Sequence, residues 1–198
     1  MGPLALKPLQ TGTERAASEL IYEAFDEYYD LFGLEKSKII DLISDQLSIA
    51  GSEIANTSAI FDDDGRLSAI LSCLPVAELS SAQMKSTFHL LSHVEQSQKD
   101  NVLKDIKAFS AGFPDVPEDC FYLTRIVVSS INRRQNLGSH LLDKFAELGK
   151  DYPKLCLHVN AKKIAAINFY TKNGYEIFGP GDRPFVAMVK PNPTPGGL

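Results

Sequence analysis

The sequence predicts an α/β fold, and three stretches carry this prediction. Residues 121–128 form an apolar run of strand length, and after a turn the apolar residues of 137–146 recur at helical spacing. Residues 155–160 are again strand-like and lead into a helical segment, 161–172. The third stretch is Asp62-Asp63-Asp64-Gly65, which separates two apolar runs, and Asp-Gly between strands is a strong hairpin signal. Strands that meet in hairpins or alternate with helices indicate a sheet flanked by helices.

The N-terminal third reads as a short strand followed by two helices. Residues 4–9 are predicted as the strand, and Thr13 is a suitable N-cap for a helix that ends near residue 30. A second helix is predicted over 36–50, where Gly51 stops it. The strands of the predicted hairpin, 57–61 and 67–76, follow as the second and third strands.

Residues 80–113 have the composition of one or two helices between the third and fourth strands. Residues 96–101 are polar enough to be the break between them. The apolar residues expected on two helical stripes are Met84, Phe88, Leu91 and Val94 on the first, and Val102, Leu103, Ile106 and Phe109 on the second.

The C-terminal part completes the sheet. Strands are predicted over 175–178 and 184–190, with a Gly-Pro-Gly turn at 179–181. Residues 191–198 are rich in Pro and Gly and are expected to be a disordered tail. The remaining 1–190 are expected to form a single domain, which suits a chain of 198 residues.

The composition narrows the classes of function. A net charge of −5 disfavours a general nucleic-acid binder, which would normally be basic. No apolar run approaches the roughly 20 residues that cross a bilayer, so no membrane association is expected. The N-terminus lacks the pattern of a secretory signal, so we expect a cytoplasmic protein.

The cysteines and histidines give no framework for a disulfide or a metal site. Cys73, Cys120 and Cys156 are far apart and odd in number, which favours small buried hydrophobic residues in a reducing compartment. His89 and His93 have the i, i+4 spacing that can hold a metal on a helix, but no third ligand suggests itself. No metal is therefore expected.

The turn between the central strand and the next helix is the first candidate binding site. It reads Arg133-Arg134-Gln135-Asn136-Leu137-Gly138 and is followed by Ser139. Backbone N–H groups at a helix start have no partner within the helix, and the helix dipole favours an anion there. The two arginines add permanent positive charge, so the segment predicts a phosphate site.

Two motifs together resemble the GCN5-related N-acetyltransferases, the GNAT superfamily. The turn resembles that family's acyl-CoA-binding pattern Q/R-x-x-G-x-G/A, with Asn136 at the first glycine, a tolerable departure because Asn enters left-handed conformations. The run from Leu157 to Tyr175 resembles the second signature through Ala165-Ala166, Phe169-Tyr170 and Gly174-Tyr175, with Lys163 where the family often has Asn.

The resemblance implies a GNAT-like central mixed, mostly antiparallel sheet flanked by helices, with 80–113 as a helical insertion. It also implies an N-acetyltransferase that uses acetyl-CoA as acyl-donor cosubstrate and acetylates a small-molecule or peptide amine, with a homodimer left open. The residues that it assigns to the cofactor are Ile126, Val127, Val128, Arg133, Arg134, Gln135, Asn136, Leu137, Gly138, Ser139 and Ala166.

The resemblance assigns the general acid more firmly than the base. By its position in the second signature, Tyr170 matches the residue that protonates the departing thiolate in that family. A phenol with a pKa of about 10 holds its proton at neutral pH and can donate it to a thiolate. The base has no fixed position in the family; His158 is the first candidate, and Glu78 and Tyr122 are reserves. A strand histidine held by a neighbouring carbonyl is an equal alternative for His158.

Three functions stay open at this stage. The first is the N-acetyltransferase, with the aromatic residues near the first helix either in the core or lining an acceptor pocket. The second is a degenerate member that binds CoA without turnover, and the third is an unrelated phosphate-binding α/β protein, which the second signature disfavours. The aromatic residues in question are Tyr22, Phe25, Tyr28, Tyr29 and Phe32.

Overall fold

One seven-stranded sheet organises the molecule. The structure is a computed structural model, and it describes residues 5–132 and 136–192. The strand order is β1-β2-β3-β4-β5-β7-β6, and all neighbours are antiparallel except β4 and β5, which are parallel. The strands are β1 Lys7–Pro8, β2 Ser58–Phe61, β3 Leu67–Pro75, β4 Cys120–Val128, β5 Lys154–Asn160, β6 Glu176–Phe178 and β7 Phe185–Pro191.

In the part of the chain that the structure describes, seven α-helices cover the two faces of this sheet. A short 3-10 turn, Asp30–Phe32, follows α2, and another, Ser130–Asn132, follows β4. The helices are α1 Glu14–Ala24, α2 Asp26–Tyr29, α3 Lys36–Ser48, α4 Val76–Leu91, α5 Lys99–Ser110, α6 Leu137–Leu148 and α7 Ile164–Lys172. Within the described ranges, none of them combines the length and apolar character that a bilayer crossing needs.

The residues of the central strands divide between two cores. Phe121 and Leu123 of β4 join Leu155 and Leu157 of β5 in the core beneath α6 and α7. Tyr122 lies on the opposite face, where the N-terminal helices and α4 and α5 form the other layer. Successive side chains of a strand point to opposite faces of the sheet, so neighbouring residues of a strand enter different layers.

Two irregularities at the middle of β4 open the sheet. Ser72 lies opposite Arg125 and Cys73 opposite Leu123, so Thr124 is an extra residue on β4 and forms a β-bulge. The pairing of β4 with β5 ends at Leu123, although β4 continues to Val128 and β5 to Asn160. The two parallel strands therefore diverge, and β4 has a free edge beyond the bulge.

The predicted elements are confirmed in type and order, with three differences. The first helix ends at Ala24, and α2 and a 3-10 turn follow as separate pieces before Gly33, whose φ is +64°. Thr13 does precede α1, but its hydroxyl donates to the Gln10 carbonyl and does not cap the helix. The helix predicted from residue 80 begins at Val76, directly after β3.

The apolar stripes predicted for residues 80–113 are partly wrong. Met84 and Phe88 are 53% and 61% exposed, whereas Ala82, Ser86 and Leu90 of α4 are buried. On α5, Val102 and Ile106 are buried as expected, while Leu103 is 44% exposed. The buried face of α4 carries small and polar residues because it packs closely on α3, where the Gln46 amide donates to the Ser86 carbonyl at 2.9 Å.

Gly149 lies where α6 meets the central strands, and a side chain there should destabilise the fold. A Cβ atom on Gly149 would lie 2.7 Å from Phe121 Cδ1 and 2.9 Å from Leu155 Cδ2. We expect Gly149→Ala to lower the free energy of unfolding by about 1–3 kcal/mol through overpacking. Chemical denaturation measures this, with Gly181→Ala as control, because nothing lies within 4 Å of a Cβ at Gly181. Equal stability of the two variants would contradict the packing argument.

Candidate active site

The divergence of β4 and β5 creates a cleft of about 360 Å³. Its walls are β4 from Tyr122 to Val128, the end of β5, and the first turns of α7. Ile126, Val127, Val128 and Ala166, which were predicted to bind the cofactor, all line it. Beyond the bulge, β4 can pair on this side with an extended ligand as with an added strand.

Tyr170 lies on α7 with its ring in the wall of this cleft. Only 9% of the residue is exposed, and burial raises the pKa of its hydroxyl above the usual value of 10. Its ring packs edge-on against Tyr175 at 5.8 Å between centroids. A phenol with a raised pKa stays protonated at neutral pH, so Tyr170 is a proton donor there.

His158 and Tyr122, which were separate candidates in the sequence, form one hydrogen-bonded unit. Tyr122 Oη lies 2.9 Å from His158 Nδ1, and His158 Nε2 lies 2.7 Å from the Pro114 carbonyl oxygen. A carbonyl can only accept, so in neutral His158 the Nε2–H donates to Pro114 and Nδ1 accepts from the Tyr122 hydroxyl. His158 is thus held by a carbonyl and is also linked to a phenol.

The surroundings of His158 keep it neutral. Burial lowers its pKa below the usual 6.5, and the Pro114 carbonyl and Asp115 only partly oppose this effect. The ring of Phe113 stands edge-on to the imidazole at 5.2 Å between centroids and shields it. At pH 7 the Nδ1 lone pair is therefore available to receive a proton through Tyr122.

A second cavity, of about 400 Å³, lies beside the cleft under α4 and α5. Phe25, Phe113, Tyr122, Arg125 and His158 line both spaces. Of the aromatic residues near the first helix, Phe25 and Tyr28 line this cavity. By contrast, Tyr29 and Phe32 are at most 1% exposed and belong to the core. The Tyr122–His158 pair stands at the junction of the two spaces.

A buried ion pair at this junction was not foreseen from the sequence. Arg125 Nη2 lies 2.9 Å from Glu53 Oε1, and the two side chains are 8% and 6% exposed. The Arg125 guanidinium also donates to the Thr124 carbonyl at 2.7 Å and stacks over the Phe25 ring at 4.6 Å. Glu53 comes from the loop between α3 and β2, so the pair joins that loop to the bulge of β4.

A third cavity lies at the start of α6 and continues the cleft beyond Val128. It is lined by Asn136, Leu137, Gly138 and Ser139, together with Lys172 of α7. Asn136 has a φ of +61°, the left-handed conformation expected of Asn in this turn. A Cβ on Gly138 would lie 3.0 Å from Phe169 Cζ, so glycine lets the start of α6 approach α7 closely.

Some of the predicted cofactor-binding residues cannot be placed, and one candidate for the base lies away from the three cavities. Arg133, Arg134 and Gln135 lie outside the described residues. Glu78, a reserve candidate for the base, is exposed on α4 and lines none of the three cavities. Cys73, Cys120 and Cys156 are free and buried, as predicted.

The chain can now be compared with known proteins. Residues 97–177 match the family model described as the acetyltransferase (GNAT) domain. This match confirms the resemblance to the GNAT acetyltransferases that the sequence motifs indicated. Its sheet of mostly antiparallel strands between helices is the fold that the resemblance implied. No curated protein sequence matches the chain.

Solved structures of N-acetyltransferases share the fold along nearly the whole chain. An N-acetyltransferase from Staphylococcus aureus Mu50 has a TM-score of 0.71 at 13% identity, covering 93% of this chain and 99% of its own. The PaiA N-acetyltransferase from Thermoplasma acidophilum, solved with coenzyme A, has a TM-score of 0.55 at 14% identity, with coverages of 94% and 98%. The ribosomal-protein-S18-alanine N-acetyltransferase from Escherichia coli has a TM-score of 0.52 at 16% identity, with coverages of 95% and 93%.

Proposed function

We propose that this GNAT protein is an N-acetyltransferase that moves the acetyl group of acetyl-CoA to a primary amine by direct attack in a ternary complex. One observation carries the proposal. The cleft between β4 and β5 has a protonated phenol, Tyr170, in its wall and the Tyr122–His158 pair at its junction with a second cavity. A proton donor and a proton acceptor thus stand in a site with room for two substrates.

The donor side of the cleft fits an acyl-CoA. The edge of β4 at Ile126, Val127 and Val128 has no partner strand on this side and can hydrogen-bond an extended pantetheine arm and the thioester carbonyl. The N–H groups at the start of α6, with Lys172 nearby, suit a pyrophosphate. Arg133 and Arg134 would add charge to this site by virtue of their sequence position.

The acceptor amine attacks in its neutral form, so an ammonium group first loses one proton to solvent, and the attacking amine loses one more as the amide forms. We place it at the junction of the two cavities, beside Tyr122. As the amine nitrogen bonds to the carbonyl carbon, its proton passes to Tyr122 Oη, and the Tyr122 proton passes to His158 Nδ1. The Nε2–H bond to Pro114 fixes the imidazole in the tautomer that this transfer needs.

The leaving thiolate must gain a proton. When the C–S bond breaks, Tyr170 donates its hydroxyl proton to the sulfur, which yields the free thiol of CoA and the amide. Tyr170 then recovers a proton, and His158 loses one, through solvent in the open cleft. Holding both substrates in line in one cleft is a further large contribution to the rate.

The first experiment separates binding from turnover. A ligand that binds only the folded state raises the unfolding midpoint, so acetyl-CoA should stabilise the wild type. Arg133→Glu should lose this shift, while Arg66→Glu, the same charge change on the exposed hairpin, should keep it. Release of free thiol with a panel of amines then measures transfer. A shift without thiol release would favour the CoA-binding module, and no shift would remove acetyl-CoA from the proposal.

The Tyr122–His158 pair predicts a specific kinetic defect. Tyr122→Phe removes the hydroxyl that joins the amine to Nδ1, and we expect kcat to fall about 10- to 100-fold. The midpoint shift with acetyl-CoA should persist. Since burial lowers the pKa of His158 and the base must be neutral, the acidic fall in wild-type kcat should lie below pH 6.5 and should be missing in the variant. A wild-type rate in Tyr122→Phe would remove this pair from the mechanism.

We also infer that residues 1–190 form one domain and that the protein works in a reducing compartment such as the cytoplasm. The first inference is supported by Val102 and Ile106 of α5, which pack in the same core as α1 and α3. The second is supported by the three buried free thiols.

A further inference from the structure

The second cavity is the space from which the acceptor reaches the Tyr122–His158 pair. It is lined by Phe25 between α1 and α2, and by residues of α2, of the loop after α3, of α4 and α5, of the loop after α5, and of β4 and β5. Its volume of about 400 Å³ is at the small end of the range for small-molecule pockets, roughly 300–1,000 Å³. A cavity of this size suits a compact molecule.

The walls of this cavity are mainly aromatic and aliphatic. Phe109 of α5 lies 5.6 Å from Phe25, 5.9 Å from Tyr28 and 5.5 Å from Phe113, between ring centroids. Val76 and Leu79 of α4 line the cavity as well. Rings that already hold one another in place lose little freedom when a ligand binds, so this surface is preorganised for an apolar body.

The charges on the walls are few, and most of them are paired. Among the described residues that line the cavity, only Glu53, Asp115 and Arg125 are charged. Glu53 and Arg125 form the buried ion pair, so Asp115, at the exposed rim, carries the net charge of −1. One net negative charge matches one ammonium group. It does not match a polycation, and a ligand carboxylate would find no unpaired cation.

From these three properties we infer that the acceptor is a small, mainly apolar primary monoamine, such as an arylalkylamine or a medium-chain alkylamine. The inference rests on the proposed N-acetyltransferase function. Asp115 attracts the ammonium group at the rim, and the apolar body lies against Phe109 and Phe25. The ammonium group loses one proton to solvent, and the neutral nitrogen then reaches Tyr122 at the junction with the cleft.

The primary test is a comparison of amines on the wild-type enzyme. The kcat/KM for 2-phenylethylamine should be at least tenfold higher than the kcat/KM for spermidine, kanamycin, free amino acids or peptides with a free N-terminus. Along the series from ethylamine to hexylamine it should rise about fourfold for each buried methylene until the cavity is full. Preference for a polyamine, an aminoglycoside, an amino acid or a peptide would overturn the inference and leave the transferase function standing.

Two variants with a matched control locate the specificity. Phe109→Ala should lower kcat/KM for 2-phenylethylamine about tenfold or more and change it less than twofold for methylamine. Phe88→Ala, which removes a ring 61% exposed on the outside of α4, should leave both unchanged. Gln83→Glu adds a second carboxylate to the cavity wall and should shift the ratio of cadaverine to hexylamine at least threefold towards the diamine.

A binding measurement distinguishes failure of the inference from failure of the proposed function. Calorimetry of 2-phenylethylamine with the CoA-saturated wild type, Phe109→Ala and Phe88→Ala requires no turnover. Binding that Phe109→Ala loses and Phe88→Ala keeps would support the inference even if no amine is acetylated. Absence of binding to the CoA-saturated wild type would overturn it, even if another amine is a substrate.

Discussion

Tyr170→Phe should lower kcat by about 10²–10⁴-fold, the range of a lost general acid. In the proposed reaction the departing thiolate of CoA takes up a proton, and Tyr170 lines the cleft proposed to hold the thioester. Burial raises its pKa, which keeps the proton in place until the thiolate forms. The ring that packs against Tyr175 is retained in the variant, so the fold and the midpoint shift with acetyl-CoA should not change.

The neighbouring tyrosine provides a matched control. Tyr175 is only 1% exposed, and its hydroxyl is buried with no hydrogen-bond partner among the described residues. Removing an unsatisfied hydroxyl costs little, so Tyr175→Phe should keep both wild-type turnover and wild-type stability. Thiol release measured for the two variants under the same conditions tests whether Tyr170 protonates the thiolate. Equal activity in both would show that another group protonates the thiolate.

Glu53→Gln should lower the free energy of unfolding by about 3–5 kcal/mol, the usual cost of breaking a buried ion pair. For a chain of this size such a loss lowers the unfolding midpoint by about 6–20 °C. The cost arises because Arg125 is buried and cannot give up its proton, so its charge stays uncompensated beside Phe25 and Tyr122. Turnover should fall as well, since the guanidinium lines both cavities.

Replacing Arg125 instead of Glu53 should lower the free energy of unfolding less. Replacing both residues should restore most of the stability. In Arg125→Met the remaining Glu53 can take up a proton and become neutral, so the loss should be smaller than in Glu53→Gln. Glu53→Gln combined with Arg125→Met removes both charges and should regain most of the stability lost in Glu53→Gln alone. Denaturation curves of the three variants test this order. Additive losses in the double variant would mean that the charges are not coupled.

The sequence by itself determined the order and type of the elements and the face of the sheet on which the residues of β5 lie. These features depend on local patterns, such as the alternation that places Leu155, Leu157 and Val159 in one core and His158 on the other face. The left-handed conformation of Asn136 is local in the same sense, because it follows from the residue and its turn. Motifs of this kind also carried the resemblance to GNAT acetyltransferases that the family match confirmed.

Tertiary structure alone decided which of these residues act on one another. Glu53 and Arg125 are 72 positions apart in the sequence, and no spacing signals that a loop carboxylate meets the residue after a bulge. Periodicity placed Met84 and Phe88 on an apolar face of α4, yet the neighbouring helix α3 covers another face. Which face is covered depends on the packing of whole elements.

The packing of whole elements also determines the surroundings of the candidate base and the shape of the second cavity. His158 and Tyr122 were separate candidates in the sequence, and only the register of β5 beside β4 brings the imidazole to the phenol. The second cavity exists because α4 and α5 lie over the opening that the bulge and the diverging strands leave in the sheet. A sequence pattern reports the conformation of its own segment, whereas a site assembled from distant segments is fixed by how those segments pack.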